Sequence, residues 1–295
     1  MHIWRLMKAD KQLGQAQNIR SLLPHCHSLI VHCPSLDGKI CLMISGNVIQ
    51  CHLIYIYCLT KQLNTDPHDI SLYHGHTYFP PNTEYKAYIQ ALPSQSPKKS
   101  APCDHFTAIN AQDHKKFKNM DITGIVTINC SHILIKSTVD LQLGEKFANT
   151  DYALAHAICN TKPHPEEILF IDHDFAHKSD HHHSYDISCG FSKNVIKCFQ
   201  KNFPNEVEFV RNMKWLIPLL YVQNHQDNCT YLYSSAYQEN TRNFQGESAE
   251  QPWIELNQLA PQTQQMNNSH HQDTIIDHHS HWNWAKTTNM AATLS

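Results

Sequence analysis

Two glutamates, Glu247 and Glu250, stand three residues apart in the stretch NFQGESAEQPWIELNQL. Carboxylates at this spacing share one face of a helix. Ser248 or Asn243 could begin that helix, and Pro252 indicates that it starts late. One interpretation is a charged first turn that the helix dipole stabilises. The other is a pair of ligands for a hard divalent cation, which requires acids from elsewhere in the chain.

The nearest candidate for a further acid is Asp186, in the stretch SYDISC. It stands within or at the end of a short predicted strand, from which its carboxylate can project toward a metal ion. An Asp on a strand and a Glu on a following helix can together hold Mg²⁺. Two acids alone would bind two divalent cations weakly, so a two-metal site requires a third carboxylate.

Composition limits the classes of protein that fit the chain. Its 295 residues are 41% hydrophobic and 17% charged, enough for a buried core in one large domain or two small ones. The net charge of -3 gives no overall attraction to nucleic acid, so DNA binding would depend on a local basic patch. Eleven cysteines without a secretory leader indicate thiols in a reducing compartment. The longest apolar run, CHLIYIYCL, is about half the roughly 20 residues of a spanning helix, so no membrane segment is predicted.

Hydrophobic patterning predicts strands and helices in alternation. Residues 1–32 are predicted to be a poorly ordered lead-in, and residues 33–295 the core. The stretch KICLMISGNVIQCHLIYIY predicts two adjacent strands around a turn at residues 45–47, and GIVTINCSHILIK predicts one half-buried strand. EEILFID, SYDISC and WLIPLLYVQ are further strand candidates, with Pro218 at an edge or bulge.

Four stretches predict helices. They are NTEYKAYIQAL with a capping Asn82, LGEKFANTDYALAHAIC, SKNVIKCFQKN, and the tail TIIDHHSHWNWAKTTNMAATL. The interleaving of strands and helices favours an α/β or mixed α+β fold.

Other residues offer different chemistry. The tract IDHDFAHKSDHHHSYD could adsorb Zn²⁺, and it also fits a polar loop. Cys26, His32 and Cys33 resemble zinc ligands but lack a second CxxC arm. No cysteine stands in a strand-to-helix elbow, which argues against Cys-His catalysis. Three tryptophans could stack on bases or pack in the core: Trp253, Trp282 and Trp284.

Five blocks, in order, resemble the Kyakuja-Dileera-Zisupton (KDZ) transposases. They are DLQLGEKFANTDYAL, SYDISCGFSKN, IPLLYVQNHQDNC, GESAEQPWIELNQLAPQTQQM and QDTIIDHHSHWNWAK. The resemblance implies an α/β fold with an RNase H-like mixed sheet flanked by helices, with irregular insertions. It also implies a DDE acidic triad that binds Mg²⁺ or Mn²⁺ and cuts and rejoins DNA at transposon ends in the nucleus.

The resemblance assigns roles to individual residues. Asp186 matches the second aspartate of the triad, and Glu247 or Glu250 matches the glutamate. The first aspartate is expected before Gly-Asn in MISGNVI, where Ser45 stands. We expect Ser45, Asp186 and one glutamate to lie together; Asp37 and then Asp121 are the next candidates for the missing acid.

Because serine cannot supply the missing charge, the resemblance implies a truncated, degenerate copy with impaired catalysis. A shortened cysteine motif, HCPSL, and Gln245 in place of a family aspartate point the same way. Two other functions remain open: a DNA-binding or complex-forming relic without catalysis, and a histidine-rich metal-binding surface.

Overall fold

The computed structural model describes residues 48–56, 59–62, 66, 68–73, 75, 77–92, 120–130, 133–142, 146–161, 180–238, 241 and 247–294. Within these residues, a five-stranded mixed sheet forms the centre of the molecule. Its strands are β1 Val48–Ile56, β4 Ile125–Cys130, β5 Ile135–Asp140, β6 Asp180–Ser184 and β7 Met213–Leu216. Two short strands, β2 Lys61–Gln62 and β3 Met120–Ile122, form a separate pair.

The order of the strands in the main sheet is β5-β4-β1-β6-β7. β1 is antiparallel to β4 and parallel to β6. β4 is antiparallel to β5, and β7 extends the sheet parallel to β6. The central strand β1 therefore has both of its edges paired.

The stretch GIVTINCSHILIK was predicted as one half-buried strand, and the structure shows that it contains β4 and the first two residues of the antiparallel strand β5. The chain reverses after Cys130, where the amide of Ile133 donates to the Cys130 carbonyl oxygen at 2.9 Å and Ile133 has a left-handed φ of 64°. Both strands are buried along their whole length, because helices cover both faces of the sheet. The alternation that suggested a solvent-facing side was therefore misleading.

Nine α-helices lie within the described residues. They are α1 Asn82–Ala91, α2 Phe147–Thr161, α3 Ser188–Asn202, α4 Val207–Arg211, α5 Leu219–Val222, α6 Asp227–Tyr233, α7 Gln251–Leu256, α8 Ala260–Thr263 and α9 Asn268–Leu294. Short 3₁₀ turns span Pro204–Glu206, Ser235–Tyr237, Glu247–Glu250 and Asn257–Leu259. The four predicted helices are all present, which confirms the helical periodicity.

One face of the sheet packs against α1, α2, α3 and α4. Val126, Ile128 and Val139 point from the strands into this core, where Leu154 of α2 and Phe199 of α3 meet them. These side chains are almost fully removed from water. Burial of each large apolar side chain contributes about 1.5–3 kcal/mol, which makes this cluster the main anchor of the α2–α3 layer.

The other face of the sheet packs against the long helix α9. Ile275, Ile276 and Trp282 of α9 pack with Ile125 of β4 and Ile135 of β5. Polar contacts accompany this packing: Oγ1 of Thr138 lies 3.0 Å from Nε2 of His279. The result is a mixed α/β fold in which helices flank a mixed sheet.

Several local predictions need correction or lie outside the described residues. Asn82 was predicted to cap α1, but Pro81 precedes the helix and no side chain caps it. Pro218 lies between β7 and the short helix α5, so WLIPLLYVQ is a strand followed by a helix. The predicted lead-in 1–32, the strand partner before residue 48 and EEILFID fall on residues that the structure does not describe.

A membrane-crossing helix was not expected. Among the described residues, no helix combines the length and the apolarity that crossing a bilayer requires.

Candidate functional site

Asp186 lies in the turn that joins β6 to α3. Its Oδ1 accepts a hydrogen bond from the amide of Ile187 at 2.9 Å. The turn is fixed to the end of β7, because the Leu216 carbonyl oxygen accepts from the amide of Tyr185 at 3.0 Å and from Oγ of Ser188 at 2.7 Å. Asp186 itself is only partly buried. The carboxylate therefore stands on a rigid turn and remains accessible.

The pairing of β1 with β6 shows which part of β1 lies beside this turn. Val48 pairs with Asp180, and His52 pairs with Ser184 at the end of the parallel ladder. Two residues further along each segment are Ile54 in β1 and Asp186 in the turn after β6. The ladder itself ends at His52 and Ser184, two residues before Asp186; continued at the same register, it would set Ile54 level with Asp186.

The GESAEQPW stretch forms a 3₁₀ turn, Glu247–Glu250, followed by α7. The turn lies against β1. Pro252 stands in the first turn of α7, in agreement with the predicted late start. Oε1 of Glu250 accepts a hydrogen bond from the hydroxyl group of Tyr221. The 3₁₀ turn that carries Glu250 therefore contacts β1, the strand that pairs with β6 just before the Asp186 turn.

The other residues predicted for the acidic site lie in different parts of the chain, and the structure describes only some of them. The backbone of Glu247 belongs to the 3₁₀ turn, but the structure does not describe its side chain. Ser45 and Asp37 lie outside the described part of the chain. Asp121 is on β3 in the two-stranded sheet, where its Oδ2 lies 3.3 Å from Nζ of the buried Lys61. Asp121 therefore forms an ion pair with Lys61.

A cluster of three soft metal ligands lies one helical turn beyond Asp186. Cys189, His225 and Cys229 place their ligand atoms within 4.8 Å of one another. Sγ of Cys189 lies 3.5 Å from Nδ1 of His225. Both of these residues are buried. Their donor set of two sulfurs and one imidazole differs from the carboxylates that would hold Mg²⁺.

The sequence interpretation missed this cluster and favoured Cys26, His32 and Cys33, which lie outside the described residues. A signal was present: His225 and Cys229 stand four residues apart in the IPLLYVQNHQDNC block. The third ligand comes from a different block, and only the packing of α3 against α6 brings it near. Spacing within one segment could not reveal that.

Two buried carboxyl groups lie away from the turn that carries Asp186. Burial raises the pKa of Asp140 to about 7 and that of Asp151 to about 8. Nε2 of Gln272 donates to Oδ2 of Asp140 at 2.6 Å. Burial lowers the pKa of His271, whose Nε2 lies 3.9 Å from Oδ1 of Asp140, to about 4. Burial therefore favours the neutral form of all three groups inside the core.

The QDTIIDHHSHWNWAK block docks α9 on the sheet. Trp282 donates from Nε1 to the Ile133 carbonyl oxygen at 2.8 Å. Nζ of Lys286 lies 4.7 Å from the centre of the Trp282 ring, a cation–π contact. Trp282 is buried, which supports core packing for this tryptophan, whereas Trp284 is exposed.

A family model described as Kyakuja-Dileera-Zisupton transposase matches residues 55–283. The match covers most of the chain, so the chain belongs to the KDZ transposase family. Asp186, Glu247 and Glu250 lie within the matched residues, and Ser45 lies before them. Comparisons with curated proteins and with solved structures gave no match.

Proposed function

We propose that this member of the KDZ transposase family has an RNase H-like DDE core that binds DNA, and that its strand cleavage is impaired by the loss of the first acid. The sheet supports this core: three antiparallel strands, β5, β4 and β1, continue into two strands parallel to β1. That arrangement is the one expected of an RNase H-like fold. Helices cover both faces of it.

One observation carries the proposal: β1 pairs with β6, the strand that leads into the Asp186 turn, and β1 also contacts the Glu247–Glu250 turn. An acid on β1 beside Asp186 would complete a carboxylate triad. Continued two residues beyond the last pair, His52 and Ser184, the register of β1 and β6 would put Ile54 at that position. Isoleucine has no atom that can bind a metal ion, so the site would keep two acids of three.

This register favours Ile54 over Ser45 as the position of the missing acid. Ser45 precedes Val48, and Val48 pairs with Asp180, six residues before Asp186. A strand advances about 3.3 Å per residue, so Val48 lies roughly 20 Å along the strand direction from the Asp186 level. Both assignments leave the first position without a carboxylate.

The proposed chemistry is two-metal catalysis. Asp186 and Glu250, or Glu247, would bind Mg²⁺ or Mn²⁺. One ion would help to generate the nucleophile, and the other would stabilise the leaving oxygen. Loss of one metal ligand raises the barrier, and each 1.4 kcal/mol is about a tenfold loss of rate. The ancestral activity is DNA strand cleavage and transfer, in the nucleus.

A basic stripe on α3 supports binding to DNA. Lys193, Lys197 and Lys201 are all exposed and follow one another at intervals of four residues. They therefore share one face of α3, the helix that begins beside Asp186. This stripe is a local basic patch on a chain whose net charge is -3. It favours a protein that still binds DNA without cutting it.

A nicking assay on supercoiled plasmid with Mn²⁺ tests the proposal. The proteins compared are the parent, Ile54→Asp, Ser45→Asp, Asp186→Ala, and Ile54→Asp combined with Asp186→Ala. We expect nicking with Ile54→Asp alone, because only this variant restores the third acid without removing the second.

The other outcomes separate the alternatives. Nicking by Ser45→Asp and not by Ile54→Asp would favour the Ser45 register. Nicking by the parent that Asp186→Ala abolishes would overturn the claim of impaired catalysis. If no variant nicks plasmid while all of them retard DNA in a gel, the protein is a DNA-binding relic.

A further inference from the structure

We propose that Cys189, His225 and Cys229 form a structural Zn²⁺ site that joins the segment bearing Asp186 to the segment that holds Glu250. The three ligand atoms lie within 4.8 Å of one another. They come from three places: the first turn of α3, the turn after α5, and the first turn of α6. This site would bind zinc whether or not the protein cuts DNA.

The separations between the donors match those of zinc ligands. With a Zn–S distance of about 2.3 Å and a Zn–N distance of about 2.0–2.1 Å, tetrahedral coordination places sulfur and nitrogen roughly 3.6 Å apart. Sγ of Cys189 and Nδ1 of His225 are 3.5 Å apart. Two thiolates and an imidazole are donors that zinc prefers over Mg²⁺ or Ca²⁺. The fourth position of a tetrahedral ion would be left for water.

The local fold explains why a metal is needed at this point. α5 has 4 residues and α6 has 7, and isolated helices of this length are not stable in water. The apolar cluster beneath them is small, with Ile217 and Val222 packed beside Cys189. A zinc ion would supply the cross-link that this cluster cannot.

Two other uses of the same residues fit less well. Nucleophilic catalysis by Cys189 requires access for a substrate, but its side chain is buried. A disulfide between Cys189 and Cys229 would leave His225 unexplained, and neither cysteine forms a disulfide bond in the structure. Zinc coordination uses all three residues.

The position of the cluster gives the metal a role in the proposed acidic site. Cys189 follows Asp186 by one helical turn, and Tyr221, which holds Glu250, stands one turn before His225. Zinc bound to Cys189 and His225 would therefore fix these two acid-bearing regions relative to each other.

Metal analysis of the reduced protein tests the proposal. The parent, the Cys189→Ser/Cys229→Ser double variant and the Cys159→Ser control are loaded with Zn²⁺ and dialysed against a weak chelator. Cys159 is an exposed cysteine on α2 that forms no disulfide bond, which makes it a matched thiol outside the cluster. We expect the parent and the control to retain one zinc equivalent more than the double variant. Their Co²⁺ forms should show thiolate charge-transfer absorption that the double variant lacks.

A second measurement needs no variant and so does not depend on its folding. The parent is alkylated with iodoacetamide, with and without Zn²⁺, and the modified cysteines are mapped by mass spectrometry. Zinc should slow alkylation of Cys189 and Cys229 at least tenfold and leave Cys159 unchanged. The site would be overturned if Cys189 and Cys229 were alkylated at equal rates with and without zinc. Equal zinc content in the parent and the double variant would overturn it as well. Neither experiment contains DNA, so its failure is separate from failure of the proposed function.

Discussion

The hydroxyl group of Tyr221 donates a hydrogen bond to Oε1 of Glu250 across two segments that are 29 residues apart. Tyr221 belongs to α5, and Glu250 closes the 3₁₀ turn that lies against β1. Because both side chains are only partly exposed, water replaces this bond poorly. The pair therefore fixes the direction of the Glu250 carboxylate.

Replacing Tyr221 by Phe should remove this bond and keep the packing of the ring. We expect the free energy of unfolding to fall by about 1.5–3 kcal/mol, the contribution of a hydrogen bond to a charged group. This change in the free energy of unfolding is measured by urea denaturation, monitored by circular dichroism.

Two comparisons show whether the loss of stability in Tyr221→Phe comes from the hydrogen bond to Glu250. Tyr231→Phe, which alters a tyrosine that is 64% exposed on α6, should change stability by less than about 0.5 kcal/mol. In a Glu250→Ala background, Tyr221→Phe should have almost no further effect. An undiminished loss in that background would mean that the hydroxyl acts through another partner.

Asn283 of α9 completes the hydrogen bonding of the edge strand β5. Its Oδ1 accepts from the Ile135 amide at 2.8 Å, and its Nδ2 donates to the Ile135 carbonyl oxygen at 2.9 Å and to the Tyr78 hydroxyl group at 3.1 Å. Asn283→Ala would leave these backbone groups without their partner. We therefore expect the free energy of unfolding, measured by urea denaturation, to fall by about 2–4 kcal/mol.

The control for this prediction is Asn228→Ala, at an exposed position on α6. It should be nearly neutral. An Asn283 variant as stable as the control would show that water or a neighbouring side chain replaces the amide at the sheet edge.

Helices were predictable from sequence because their apolar residues repeat at a local period. The apolar face of α3 carries Val195 and Phe199, and that of α9 carries Ile275 and Trp282, and all four are buried as the periodicity indicated. The strands were harder, because β4 and β5 are covered on both sides and lack a true alternation of buried and exposed residues.

The candidate site could be predicted only in part. Asp186 and the two glutamates were found from their blocks, but their arrangement depends on contacts between distant segments. Ile54 illustrates the limit: its proposed relation to Asp186 extends the pairing of β1 with β6, which no local pattern encodes. Cys189 needed α6 beside it before its role could be inferred.

The lysine stripe of α3 should contribute to DNA affinity through the phosphate backbone. We expect the variant with Lys193, Lys197 and Lys201 all changed to Gln to bind duplex DNA more weakly. Each lost phosphate contact should reduce the slope of log affinity against log salt by roughly 1. Fluorescence anisotropy over a range of salt concentrations measures both quantities.

A charge-matched control distinguishes the stripe from net charge. The control is a triple variant with Lys86→Gln, Lys146→Gln and Arg211→Gln. It removes three positive charges, from α1, from the residue before α2 and from α4. The control should keep a steeper salt dependence than the α3 variant. Equal slopes for both variants would mean that the stripe makes no direct phosphate contacts.

The buried carboxyl group of Asp151 should make stability depend on pH in a direction set by its raised pKa. Burial raises this pKa to about 8, so the folded protein keeps a proton that the unfolded chain releases above about pH 4. The free energy of unfolding contributed by this group is therefore highest at low pH and falls as pH rises to about 8. Asparagine cannot ionise, so Asp151→Asn should become more stable relative to the parent between about pH 5 and pH 8, by at least about 1 kcal/mol.

Comparing two proteins at each pH is necessary because Asp140 and His271 also titrate in or near this range. Their contributions are common to the parent and the variant and cancel in the difference. Asp227→Asn, which changes an exposed carboxylate at the start of α6, should show no such trend. A difference between parent and Asp151→Asn that stays constant over the same pH range would show that Asp151 is ionised in the folded protein, with a cation or water supporting its charge.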